Sequence, residues 1–143
     1  MSVKECVFLL IIVICAFQDF IQKKISLIWI VMGMMFGIGL IVCEYVNGKS
    51  FRISDIFYLI PGVLLIVIAC VSSQVGLGDG LTVLMLGLYY PSSLSILILV
   101  LAFFFLYIFT LCSFVLGKTR KNTQIPFAPF LLFGTIGGLL IYA

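Results

Sequence analysis

Two carboxylates, Asp19 and Asp79, are the residues of this sequence whose placement suggests chemistry. Asp19 closes the apolar run that starts at Cys6. Asp79 sits in Gly76-Leu77-Gly78-Asp79-Gly80, between two apolar runs. Two carboxyls that face one cavity can hydrolyse an amide. Like charges at close range resist ionising together, and desolvation adds to the effect, so one carboxyl stays protonated. That one polarises the scissile carbonyl, while the other takes a proton from the attacking water. Such chemistry needs no cofactor and no metal.

The other hydrolytic chemistries find little to work with. Histidine is absent, which rules out Ser-His and Cys-His pairs. There is no HExxH for a zinc protease and no GxSG for a rhomboid-type serine site. Cys6, Cys15, Cys43, Cys70 and Cys112 each lie in an apolar run with no CxxC or other metal-ligand spacing, and read as packing residues. Ser26 lies close enough to Lys23 and Lys24 for a Ser-Lys pair, although basic residues at a helix end are expected anyway. Glu5, Glu44 and Asp55 read as solvated helix ends.

The elements that must position Asp19 and Asp79 follow from composition. Of 143 residues, 64% are hydrophobic and 9% charged, far from the balance of a soluble domain. The length fits one domain over residues 1–143. A formal charge of +3, with no aromatics interleaved among basic residues, excludes a nucleic-acid surface. Val7 to Phe17 is short enough for a signal peptide, but Gln18, Asp19 and Lys23-Lys24 do not form a small-residue cleavage site, so a retained first helix is expected. Apolar stretches predict six helices: Ser2 to Gln22, Ile25 to Cys43, Ile56 to Gly78 with Pro61 near its start, Gly80 to Tyr90, Ser93 to Leu116, and Asn122 to Ala143. The run from Gly80 to Gly117 would reach about 55 Å as one helix against a hydrocarbon core of about 30 Å, and Tyr90-Pro91-Ser92-Ser93 supplies the break. The expected fold class is an all-α integral membrane protein, a polytopic bundle of about six transmembrane helices. Five of the eight basic residues fall after the first, third and fifth helices, so the positive-inside rule puts the Lys23, Asp79 and Lys118 loops in the cytoplasm and both termini outside.

The short fourth helix would then cover about 16 Å, half the core, and leave Asp79 recessed in the bilayer. An ionisable residue at that depth marks function, and irregular backbone there is tolerated only beside protein or a water-filled cavity. Gly76, Gly78 and Gly80 would let the chain turn sharply and approach a peptide. The plain alternatives are that Asp79 is an N-cap of the fourth helix and that Asp19 pairs with Lys23 at a helix end.

Three features, in order, resemble the prepilin peptidase family of G-x-G-D aspartyl proteases: Asp19 followed six residues on by Ile25 at the start of an apolar helix; Gly76-Leu77-Gly78-Asp79; and Ile125-Pro126-Phe127-Ala128-Pro129-Phe130 entering the last helix after a basic loop. The resemblance covers nearly the whole chain. It implies cleavage, at the cytoplasmic face, of the basic leader of a type IV pilin-like or pseudopilin precursor. Asp19 and Asp79 would inherit the catalytic roles. Gly76 and Gly78 would support the second aspartate, and Pro126 would shape the site or simply start a helix rigidly. The chain departs from the family in lacking the N-terminal cytosolic segment with cysteine pairs, which implies a peptidase-only form. It also has Ser26-Leu27 where Pro-Asn is common, and Gly80-Leu81 where an aliphatic residue and Lys are common. The implied partners are the lipid bilayer and the precursor substrate, and the implied location is a prokaryotic plasma membrane. Two alternatives stay open: a non-catalytic scaffold or small transporter subunit with recessed carboxylates, and another G-x-G-D protease of the preflagellin or signal-peptide-peptidase type.

Overall fold

The computed structural model describes residues 3–22, 26–48, 50, 54–71, 76–90, 92–117 and 125–142. Among them the secondary structure is entirely helical: α1 (Val3–Gln22), α2 (Leu27–Val46), the single turn α3 (Ser54–Phe57), α4 (Ile60–Val71), α5 (Leu77–Tyr89), α6 (Ser92–Val115) and α7 (Ala128–Tyr142). Helices α1, α2 and α6 are long and apolar enough to cross a membrane, whereas α4, α5 and α7 are shorter apolar helices.

The boundaries depart from expectation in physically readable ways. The third helix, expected over Ile56 to Gly78, is interrupted at Tyr58-Leu59 and resumes from Ile60 to Val71, with residues 72–75 outside the described set. Pro61 takes its second position, where a missing N–H costs nothing. The helix expected to start at Gly80 starts at Leu77, so Asp79 lies inside its first turn. The last helix starts at Ala128, with Ile125 and Pro126 non-helical and residues 122–124 outside the described set. The Asn47-Gly48 turn is present, with Gly48 at φ 95°, the left-handed region that glycine enters freely.

Helix α5 is the hub. It packs on α1, α2, α4 and α6, while α1 also packs on α2 and α7, and α6 packs on α7. Phe8, Ile12 and Cys15 of α1, Ile30 of α2, Met85 and Leu86 of α5, Ile98 of α6 and Leu131 of α7 are fully buried at the centre. The seams are closed by glycines, whose missing side chains let backbones approach. A Cβ on Gly62 of α4 would strike the backbone of Leu84, and one on Gly87 of α5 would strike the Tyr58 carbonyl. On α7, a Cβ on Gly134 would lie 2.6 Å from the Ile98 carbonyl of α6. Gly33 of α2 also exposes its carbonyl to the Tyr89 hydroxyl, which donates to it at 2.8 Å in the core.

Candidate active site

The two aspartates stand at the same height, and an internal ruler shows why. The ring of Phe8 packs edge-on against Tyr90, with centroids 5.2 Å apart, and tilted against Tyr89 at 5.3 Å. Asp19 lies eleven residues after Phe8 on α1, and Asp79 lies eleven residues before Tyr90, which closes α5. Since the helices run in opposite directions, each aspartate sits about 16 Å along its helix from the shared aromatic cluster.

Asp19 is 5% exposed and faces the start of α7. Its Oδ2 accepts a hydrogen bond from the backbone N–H of Ala128 at 3.0 Å, and the N–H of Phe127 also donates to the carboxyl. Helix α7 begins with four N–H groups that have no partner within the helix. Here they are fully accounted for: Ala128 donates to Asp19, Pro129 has no N–H, and Phe130 and Leu131 donate to the Phe127 carbonyl at 3.0 and 3.1 Å. Asp19 thus caps α7 from another helix, and a carboxylate there complements the positive end of the helix dipole. The expected pairing of Asp19 with Lys23 falls on a residue outside the described set.

Asp79 is half-buried at the third position of α5. The N-cap is Gly76, not Asp79. The carboxyl of Asp79 reaches back to the Gly76 N–H, as an acidic residue at the third position does in a capping box, and its own N–H donates to the Gly76 carbonyl at 3.1 Å. The Asp79 carbonyl in turn accepts from the buried Thr82 hydroxyl at 2.8 Å.

Gly76 and Gly80 matter for space, not for sharp turning. Gly76 has φ −73° and ψ 136°, open to any residue. A Cβ there, however, would lie 3.2 Å from Oδ2 of Asp79. Gly78 is helical and partly buried. Gly80 is buried against α4, where a Cβ would meet Ile66 Cγ1 at 2.7 Å and the Ile66 backbone N at 2.9 Å. Pro126 is partly buried and immediately precedes the two residues whose amides hold Asp19.

Those two donors, Phe127 and Ala128, escaped the sequence reading because a backbone amide leaves no mark on residue type. The bracketing prolines were the available signal. Gln18 also escaped: next to Asp19, it has a buried Oε1 with no hydrogen-bond partner among the described residues. Ser26 is partly exposed at the start of α2, and the Lys23 and Lys24 that a Ser-Lys pair would need are outside the described set. Among the described residues no group of His, Cys, Asp or Glu is placed to hold a metal ion. A cavity of about 10 Å³ lined by Tyr58, Pro61, Gly87 and Ser95 lies two turns along α5 from Asp79 and takes no part in this arrangement. No family model matches the chain, and neither a curated protein nor a solved structure does.

Proposed function

We propose that the chain is an intramembrane aspartyl endopeptidase that removes the basic leader of type IV pilin-like or pseudopilin precursors at the cytoplasmic face of a prokaryotic plasma membrane. The observation that carries this reading is the shared height of Asp19 and Asp79 on neighbouring antiparallel helices. Two of the three sequence segments that resemble the prepilin peptidases meet there, since Asp19 is held by Phe127 and Ala128, while Asp79 is held within its own segment by Gly76.

The apolar exterior supports a bilayer setting. Large side chains such as Phe36 of α2, Val67 of α4 and Phe104 of α6 are exposed, which suits hydrocarbon better than water. The bundle would comprise six membrane helices. Helix α6 supports a recessed site. Its Phe109 packs tilted against Phe130, two residues past the start of α7 at Ala128, and α6 then runs on to Val115. Its apolar end therefore overhangs the level of Asp19 by about 6 Å.

In the reaction, one protonated carboxyl donates to the scissile carbonyl oxygen. The other takes a proton from water as the water oxygen bonds to the carbonyl carbon. Collapse of the tetrahedral species breaks the C–N bond, and the departing nitrogen receives a proton from the pair. Asp79→Asn and Asp19→Asn are each expected to lower processing of a co-expressed precursor at least about a thousandfold while the protein remains inserted. A gel shift of the precursor reads this, and cleavage retained by either variant removes the peptidase reading. The cap that Asp19 places on α7 would by itself serve a scaffold or transporter subunit equally well, and that reading gains if wild type processes no precursor.

A further inference from the structure

The amides that hold Asp19 come from a segment with few others to offer. Between Pro126 and Pro129 the chain has two residues, Phe127 and Ala128, and both N–H groups are directed to the Asp19 carboxyl. In an ordinary capped helix the cap oxygen takes the N–H of the second or third helical residue. In α7 the second residue is Pro129, which has none, and the N–H of the third, Phe130, is taken by the Phe127 carbonyl. On the other side, Pro126 fixes its own φ just before the first donor. Among the described residues the carboxyl is left with one pair of donors.

We propose that Pro126 and Pro129 are positioning residues that frame Phe127 and Ala128 as a two-amide clamp on the Asp19 carboxyl, fixing its orientation toward Asp79. The catalytic consequence rests on the peptidase reading; the clamp itself does not. A residue bearing an N–H at position 129 offers the carboxyl a rival donor and frees the first turn of α7. A freely rotating residue at 126 lets the Phe127 amide swing away.

The test uses the full chain in lipid bilayers as wild type, Pro126→Ala and Pro129→Ala, with two readouts. One is cleavage kinetics on a pilin-like precursor. The other is labelling of Asp19 and Asp79 by an apolar carbodiimide, quantified for each aspartate by peptide mass spectrometry. The clamp predicts a fall in kcat of about tenfold with KM within about twofold, because orientation is lost and substrate binding is not. It also predicts that Asp19 labelling rises about threefold or more relative to Asp79, as the carboxyl is freed from its donors. A role confined to stability would change both aspartates alike. Wild-type kcat together with a wild-type labelling ratio overturns the proposal. If Pro129→Ala does not insert, Pro126→Ala decides by the same criteria. If wild type cleaves no precursor, the peptidase reading falls and the labelling ratio alone decides whether the clamp exists.

Discussion

Asp19 accepts a hydrogen bond from the first amide of α7 and also carries half of the proposed chemistry, and substitution can separate the two. Asparagine keeps a side-chain oxygen at that position and caps helices about as well as aspartate. It cannot, however, take a proton from water. Asp19→Asn is therefore expected to unfold in mild detergent within about 0.5 kcal/mol of wild type while processing nothing. Asp19→Leu removes the acceptor, leaves the Ala128 amide buried without a partner, and should cost about 1–2 kcal/mol in addition. Thermal or denaturant unfolding of the two variants reads the difference; equal stability would mean that the bond from Ala128 contributes nothing to holding α7. The sequence made both aspartates visible because a charge at the end of an apolar run has to be explained. It could not show that Asp19 meets residue 128, since that contact joins a side chain to a backbone group 109 positions away.

Among the helices, α5 places Asp79, and its grip on α4 is close enough to test with one methyl group. Gly80→Ala would put a Cβ against the Ile66 backbone, which cannot rotate aside as a side-chain end could. The start of α5 must shift, carrying the adjacent Asp79 with it. The expected result is a loss of about 1–3 kcal/mol of stability and a fall in processing larger than that loss explains. Gly39 of α2 is the control, with open space where its Cβ would go. Gly39→Ala should leave processing unchanged and stabilise the helix by about 0.5–1 kcal/mol. If the two variants behave alike, close packing at Gly80 does not position Asp79. The length and hydropathy of α1, α2 and α6 were legible from the sequence because an uninterrupted apolar run has one outcome. The short elements were less so. The break at Tyr58-Leu59 carries no glycine or proline of its own, and the early start of α5 includes two glycines that local propensity argues against. There, packing of Gly62 and Gly80 across the α4–α5 seam, and of Gly87 against Tyr58, outweighs propensity.

For the whole molecule, the two ends of the bundle differ in chemistry. One end holds the Lys4–Glu44 ion pair, which ties α1 to α2, together with the Phe8, Tyr89 and Tyr90 cluster. The other holds Asp19, Asp79 and the start of α7. In sequence, Lys23 and Lys24 follow the first helix at that second end, and Lys118, Arg120 and Lys121 precede the last. Basic residues are retained on the cytoplasmic side, so the aspartates should open toward the cytoplasm, the side on which the basic leader of the proposed substrate would also be held. If all six apolar helices cross the membrane as proposed, that end inside requires both termini outside. A reporter active only outside the membrane should therefore be active when fused after Ala143 and inactive when inserted between Gly117 and Ile125. Replacing Lys118, Arg120 and Lys121 with Gln should weaken that asymmetry, because the charge difference between the two sides is small and those three residues supply much of it. The reverse pattern would put the carboxyl pair on the outer face. It would leave the bundle intact but argue against the proposed leader cleavage, since a basic leader is retained on the cytoplasmic side.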